Sequence, residues 1–262
     1  MATTPANKKN AIDSAMFVLK FSREFSYDEN QAVSGVAEVL KDDLPKSDEV
    51  KKFSINLDVA KPQQSGEFET AGLALKKFSP DGVILWELNV IKDSIVAVCK
   101  SYRGWTEEKE TAVRFLKAVL HVLERSDNQI NSIILQITDR FIELEPNEYD
   151  IGRVFNKNSC YLTKNVLSQG PLWHVFQGWF ENDNGGREAL CLNVLNISTK
   201  STAVHESSIE HAIHYQTNKP QLVASYAGEE NCLDSIFDDL HERNKVVIKE
   251  LLCAEQLKAI GL

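Results

Sequence analysis

Residues 83–99, VILWELNVIKDSIVAVC, decide the fold class of this chain. Two runs rich in β-branched and apolar residues flank a polar turn, IKDS, and the turn SPDG at 79–82 comes directly before them. In such a turn Pro pre-sets φ and Gly closes the chain reversal. Because residues 70–78 supply a further strand pattern, the segment predicts an antiparallel meander of three strands. Side chains alternate along a strand, so Trp86 and Leu88 are predicted to share a face.

Apolar residues at three- and four-residue spacing predict two long helices, and the first, WTEEKETAVRFLKAVLHVLERS, follows the meander directly. Its predicted N-cap is Thr106, which places Glu107 and Glu108 at the positive end of the helix dipole. The second helix is predicted from about Asn231 to Leu252. The positions predicted to be buried are Val113, Leu116, Val119, Leu120 and Leu123 in the first helix, and Leu233, Ile236, Phe237, Leu240, Val247, Ile248 and Leu251 in the second.

The segments on either side of the meander complete the first half of the chain. Residues 15–21 and 130–144 form apolar runs that suit strands, and residues 51–60 alternate apolar and polar side chains as a half-buried strand does. Ser26 with Glu29 three residues later forms a capping box, which predicts a helix start. The first half therefore predicts the order β-α-β-β-β-β-α-β.

The second half has a looser pattern of the same kind. A weak helix is predicted at 159–171, followed by a hairpin around the NDNGG turn, a strand or mixed segment, and the last helix. We therefore predict an α+β protein with two lobes of mainly antiparallel sheet, helices packed on the sheet faces, and a long C-terminal helix. The predicted divisions are a flexible tail at 1–13, an N-terminal lobe at 14–145 and a C-terminal lobe at 146–262.

Composition narrows the classes of partner. The chain has 262 residues, 29 basic and 38 acidic side chains, and a net charge of −9. With no cluster of Lys and Arg, this charge disfavours nucleic acid and favours another protein, with a basic surface, as partner. Homo-oligomerisation is left open. Five cysteines without a CxxC pair predict free thiols in a reducing compartment, and the absence of a leader or membrane-span pattern predicts a cytoplasmic protein that does not bind membranes.

Two groups of side chains could carry chemistry, and neither has the pattern of a site. The acidic group on the last helix falls mostly off the apolar stripe, which indicates a solvated face: Asp238, Asp239, His241 and Glu242. Neither strand nor helix spacing would gather three ligands from His205, His211 and His214. Nucleophile-elbow and phosphate-loop motifs are absent from the sequence. We therefore predict no catalytic residue, no metal site and no cofactor.

The segment LWHVFQGWFE, residues 172–181, holds the best candidates for partner contact. As a strand it would place Trp173 and Trp179 on one face and Phe176 and Phe180 on the other. Burial in a covered sheet is the favoured interpretation, but an exposed face here would be our first choice for a protein interface, because aromatic side chains anchor such surfaces. The residues that could contact an anion are Arg103 in SYRGW and Arg140 in TDRF.

Four blocks carry a family resemblance: FSPDGVILWELNVIKDSIV, YRGW, ITDRFIEL and LDSIFDDLHERNKVVIKELL. With these blocks the chain resembles, over residues 14–262, a sporadically distributed family of bacterial proteins of unknown function and about this length. Members often carry a neutral Asn where this chain has Asp139. The resemblance implies a prokaryotic protein, and the patchy distribution is typical of antiphage defence or toxin–antitoxin modules.

The function expected from these observations is that of a non-enzymatic, protein-binding or regulatory protein, placed in a bacterial defence or toxin–antitoxin module. The alternative is a hydrolytic enzyme with an unrecognised site. That enzyme would use the histidines at 205–214, or Arg103 and Arg140, and it requires those side chains to converge in one pocket.

Overall fold

The computed structural model describes seven segments of the chain: residues 3–7, 10–56, 65–143, 149–182, 189–201, 203–228 and 232–262. At 51–56 and 65–71 it describes the backbone alone. The strands are Thr3–Pro5 (β1), Ile12–Phe21 (β2), Lys46–Asn56 (β3), Ser65–Phe78 (β4), Ile84–Ile91 (β5), Ser94–Cys99 (β6), Gln129–Glu143 (β7), Trp173–Asn182 (β8), Ala189–Ser201 (β9) and His205–Leu222 (β10). The helices are Tyr27–Ser34 (α1), Val36–Val39 (α2), Trp105–Val122 (α3), Ala224–Ala227 (α4), Cys232–Leu251 (α5) and Ala254–Ile260 (α6).

All of these strands belong to one antiparallel sheet. Its order is β3-β4-β5-β6-β2-β7-β10-β9-β8, and β1 pairs with β7 beyond the end of β2. The predicted α+β class with a mainly antiparallel sheet is confirmed. The two separate lobes are not, because β7 and β10, which lie on either side of the predicted division, pair from His205↔Glu143 to Leu222↔Gln129.

Two halves of the sheet, one built from β2 to α3 and the other from β7 to α5, repeat one topology around its centre. The first strand of each half, β2 or β7, is central, and the last strand of the meander that follows, β6 or β10, returns beside it. Earlier strands of each meander lie further out, and a long helix, α3 or α5, ends the repeat. Because β2 and β7 pair antiparallel, the two repeats run in opposite directions from the centre of the sheet.

The core lies between one face of the sheet and the helices α3 and α5. Every apolar position predicted to be buried in these two helices is buried. They pack against alternate residues of the central strands, such as Phe17 and Leu19 on β2 and Leu135 on β7, in a single apolar cluster. A second cluster, which includes Phe155 and Trp173, lies at the β8 end of the sheet. We call the sheet side that the helices cover the helix face.

The structure confirms one predicted helix start and corrects another. The predicted capping box forms: Ser26 Oγ accepts from Glu29 N at 3.3 Å, and Glu29 Oε2 accepts from Ser26 N at 2.6 Å. Helix α3, however, starts at Trp105 with Gly104 as N-cap and no side-chain cap. The Thr106 cap is wrong, because the wholly buried Glu108 accepts the Arg103 backbone N–H at 3.2 Å and thereby fixes an earlier start.

Three other parts of the chain differ from, or extend, the prediction. Residues 159–171 do not form an α-helix. They form turns, with one 3₁₀ turn at Val166–Ser168, because the stretch with helical spacing is too short to sustain an α-helix. Thr3–Pro5, assigned to a flexible tail, pairs with Phe141–Glu143. Residues 57–60 of the predicted strand, and most of the NDNGG turn, lie outside the described residues. Within the described segments, no helix has the length and apolar character to cross a membrane.

Candidate functional site

The aromatic strand β8 is an edge strand with two different faces. In the described part of the chain it pairs with β9 alone, from Trp173↔Thr199 to Asn182↔Leu190. Its burial alternates along the chain, with Trp173 and Trp179 directed to the helix face and Phe176 and Phe180 to the opposite side. The four aromatic residues selected from the sequence therefore do not share one surface.

The two tryptophans are held in the second apolar cluster. Trp173 is 8% exposed, and its Nε1 donates to the Tyr149 hydroxyl at 2.6 Å. Trp179 stacks on Tyr161 with ring centroids 5.2 Å apart and lies 5.9 Å from the His211 ring. These contacts assign Trp173 and Trp179 to packing of the β8 end of the sheet.

The phenylalanines belong to an exposed apolar patch. Leu172, directly before β8, and Phe176 and Phe180 on it are 69%, 67% and 62% exposed, which is unusual for large apolar side chains so close together. On β9, Leu192 and Val194 face the same way and are half-buried. We call the sheet side opposite the helices the open face, because no helix among the described residues packs on it.

The patch continues across the open face as a row of cross-strand neighbours. Directly paired positions on six successive strands are apolar except for one histidine: Phe180, Leu192, His214, Ile134, Val18 and Val96. At the middle of this row, Val18, Ile134 and His214 line a hollow of ≈ 640 Å³, whose other lining residues are polar and include Lys20. Partial burial lowers the pKa of His214, so at neutral pH this histidine is uncharged and the row carries no charge.

The residues named for a hydrolytic site are spread over both faces of the sheet. His211 is buried on the helix face between Asn193 and Asn244, whereas His214 lines the hollow on the open face. His205 packs against Tyr149, with ring centroids 5.6 Å apart. No described pocket contains all three, so the histidines do not form a catalytic group.

The two arginines are also apart, and acidic side chains hold both. Arg103 contacts Glu107 at 2.7 Å and Glu108 at 3.2 Å at the start of α3. Arg140 contacts Asp13 at 2.8 Å and Glu206 at 3.9 Å on the open face. An anion would have to compete with these carboxylates at either position.

A different group of polar residues does meet in one pocket. It lies on the helix face, where the start of β2, the segment before α3, helix α5 and helix α6 come together, and it has a volume of ≈ 290 Å³. Its polar side chains include Tyr102, Asp139, His241 and Asn244, while Ile248 and Ile260 form apolar walls. We call this space the Asp139 pocket.

Asp139 is the least expected member of that pocket. Its side chain follows Leu135 and Ile137 on the helix face of β7 and is 4% exposed. Among the described residues its carboxylate has no hydrogen bond or ion pair. Burial alone raises its pKa from 3.8 to about 7. The sequence indicates this burial through the strand pattern LQITDRF, in which Asp139 takes one of the alternate positions that buried apolar residues otherwise take.

His241 corrects the interpretation of the acidic helix group as a wholly solvated face. It is 6% exposed, and its ring stacks on Trp105 with centroids 3.8 Å apart and planes 12° apart. Burial lowers its pKa to about 4, and its Nδ1 has no hydrogen-bond partner. Asp238 accepts from Trp105 Nε1 and from Lys109 Nζ, both at 2.7 Å, so it anchors α5 to α3.

Within the described residues, no three His, Cys, Asp or Glu side chains are grouped so as to hold a metal ion. No family model matches the chain, and no curated protein or solved structure matches it either.

Proposed function

We propose that this protein is a non-enzymatic binding protein that docks another protein on its open face, beginning at strands β8 and β9. The observation that carries the proposal is the exposure of Leu172, Phe176 and Phe180 on one edge of a sheet. Exposed aromatic side chains on a rigid strand cost little conformational entropy on binding, and burying them is strongly favourable.

The form of this surface indicates the kind of partner. A row of side chains that is apolar except for His214 crosses six strands, and the outer edge of β8, which pairs with no strand among the described residues, offers backbone groups for strand pairing. Glu210 on β10 faces the same side, Glu206 there is already paired with Arg140 and Lys200, and the chain carries a net charge of −9. The partner that fits is therefore a protein with an apolar contact surface and a basic rim.

The biological setting remains a proposal that rests on the sequence resemblance. A regulatory protein of a bacterial defence or toxin–antitoxin module would use such a surface to hold its partner protein. The geometry supports the binding role and is neutral about that setting.

The proposal is tested by affinity capture from cells that naturally make the protein, using the double variant Phe176→Ser/Phe180→Ser. Wild type should recover one partner in stoichiometric amount, and the double variant should bind it at least about tenfold more weakly, because two anchor side chains are lost. The matched control is Tyr27→Ser, since Tyr27 is an aromatic residue of α1 that is 66% exposed.

The two possible failures have different meanings. Absence of any stoichiometric partner would refute a binding function. Equal capture by wild type, the double variant and the Tyr27→Ser control would refute the open face as the docking surface. Circular dichroism of each variant establishes that a loss of capture is not a loss of folding.

A further inference from the structure

We propose that the Asp139 pocket binds a small ligand that carries a protonated amine or a guanidinium group. This site lies on the helix face, on the opposite side of the sheet from the protein-docking surface, so the inference goes beyond the proposed function. Its strongest support is a carboxylate that borders a cavity and has no partner among the described residues.

A buried carboxylate without a partner is costly, because the folded protein does not replace the hydrogen bonds that water would supply. In most proteins a nearby Arg or Lys compensates for that loss. Here Asp139 is 4% exposed and its carboxylate contacts no such cation among the described residues, yet it borders a cavity of ≈ 290 Å³. A ligand cation in the cavity would restore a charge-assisted hydrogen bond at that point.

The other polar groups of the pocket are compatible with a cation. The titratable side chains that line it beside Asp139 are Tyr102, His241 and Lys245. Burial raises the pKa of Tyr102 and lowers the pKa of His241 to about 4, so both are neutral at pH 7. Lys245 contacts Glu242 at 2.7 Å, which offsets its positive charge. Asp139 therefore sets the charge preference of the interior.

The pocket's size and walls define the rest of the ligand. Ile248 and Ile260 offer apolar contact for an alkyl chain, while His241 Nδ1 is a buried polar atom still without a partner. A cavity of this volume is at the small end of the range for ligand sites. The ligand class is a short alkylamine or alkylguanidine, which directs its cationic head to Asp139.

The affinity of the Asp139 pocket for a cation should depend on pH. A cation binds the ionised form of Asp139, whose pKa is about 7 in the free protein. The ionised fraction rises from about one tenth at pH 6 to about nine tenths at pH 8, so affinity should rise about ninefold to tenfold over that range. Each molecule bound near pH 6 should release close to one proton.

The experiment uses the full chain labelled with ¹³Cγ-aspartate, and it follows the Asp139 carboxyl signal by NMR while methylguanidinium chloride or n-butylammonium chloride is added. The signal is assigned with Asp139→Asn. Sodium chloride at equal ionic strength controls for screening. The expected result is a saturable decrease in the titration midpoint of Asp139 by at least one pH unit with one of the two cations.

Two variants keep the test decisive. Ile260→Trp fills the pocket from α6 without changing the carboxylate, so Asp139 should still titrate but should no longer respond to the cation. Asp127→Asn removes a carboxylate whose side chain is 91% exposed, and its response should match wild type. The proposal is overturned if neither cation produces a saturable change, or if Ile260→Trp responds as wild type does.

Discussion

At the residue scale, Asp139 and His211 show how burial alone changes the chemistry of a side chain. Asp139 lies on the buried face of β7, where its neighbours along that face are apolar, and this burial raises its pKa. His211 is 1% exposed, with Nε2 3.2 Å from Asn193 Oδ1 and Nδ1 3.1 Å from Asn244 Nδ2. The two amides hold the neutral ring in one tautomer, and burial lowers its pKa to about 4.

The substitution Asp139→Asn should change how stability depends on pH. The folded-state pKa is raised from 3.8 to about 7, so the folded protein keeps a proton that the unfolded chain releases in this range. The contribution of the Asp139 carboxyl group to the free energy of unfolding is fully present below about pH 4. It is lost as the pH rises to 7, and the total loss is roughly 4 kcal/mol. The variant should lose that decline and be more stable than wild type above pH 7.

Urea unfolding at pH steps from 4 to 9 measures this effect, with Asp127→Asn as the exposed control. If Asp139→Asn retains the wild-type dependence of unfolding free energy on pH between 5 and 8, the raised pKa of Asp139 is wrong.

The substitution His211→Gln should also change how stability depends on pH, but with the opposite sign from Asp139→Asn. Because the folded-state pKa is lowered from 6.5 to about 4, the unfolded chain takes up a proton that the folded protein does not. Stability from the neutral histidine is present above about pH 6.5 and is lost as pH falls to 4, by roughly 3 kcal/mol. The variant should therefore be less sensitive to acid over this range, whatever its stability at pH 7.

The matched control is His121→Gln, since His121 is 79% exposed. Unfolding free energies measured from pH 7 to 4 that decline equally in His211→Gln and His121→Gln would contradict the assignment of a buried neutral His211.

At the element scale, the sequence was most informative where one pattern sufficed. The stripes of α3 and α5, the capping box at Ser26 and the meander β4–β6 all follow from local periodicity or turn chemistry. Strand β8 shows the limit, because its alternation separates two faces but does not reveal which face the helices cover. The sequence favours burial of both faces, yet Phe176 and Phe180 are exposed, since helices pack on one side of the sheet alone within the described residues.

Gly72 marks a bulge in β4 that depends on glycine. The register with β3 shifts between Val50 and Lys51, opposite this residue, and Gly72 has φ +155°. A Cβ atom there would lie 2.2 Å from Val90 O on β5. We expect Gly72→Ala to destabilise the protein by more than about 2 kcal/mol, because backbone must move to admit the methyl group.

Thermal and urea unfolding measure that loss against Gly228→Ala, where the added Cβ meets no atom within 4 Å. Equal stability of the two variants would show that β4 and β5 do not approach each other as described at Gly72.

At the scale of the whole molecule, one sheet joins two halves of equivalent topology. The pair β7–β10 connects strands from the two sides of residue 146, and the core cluster contains Phe17, Leu135 and Phe237 together. A sheet with helices on one face must leave its other face to solvent or to a partner. The sequence predicted the strands and helices of each half but not their union, because pairing between distant strands leaves no local pattern.

Because β7 and β10 pair across residue 146, the segments on either side of that residue should not fold alone. A fragment of residues 146–262 would leave the long edge of β10 without β7, so it should show no cooperative thermal transition. Co-expression with residues 1–145 should restore a complex with wild-type circular dichroism. A fragment 146–262 that unfolds cooperatively at a temperature near that of the intact chain would instead support two independent lobes.

Photo-crosslinking from the open face tests the docking claim most directly. Phe180 is replaced by p-benzoylphenylalanine in cells that naturally make the protein, and the same replacement at Tyr27 reports on a comparably exposed aromatic position on α1. We predict that position 180, and not position 27, forms one predominant covalent adduct with a second protein in high yield. No adduct at position 180, or the same adducts from both positions, would contradict a docking surface on the open face.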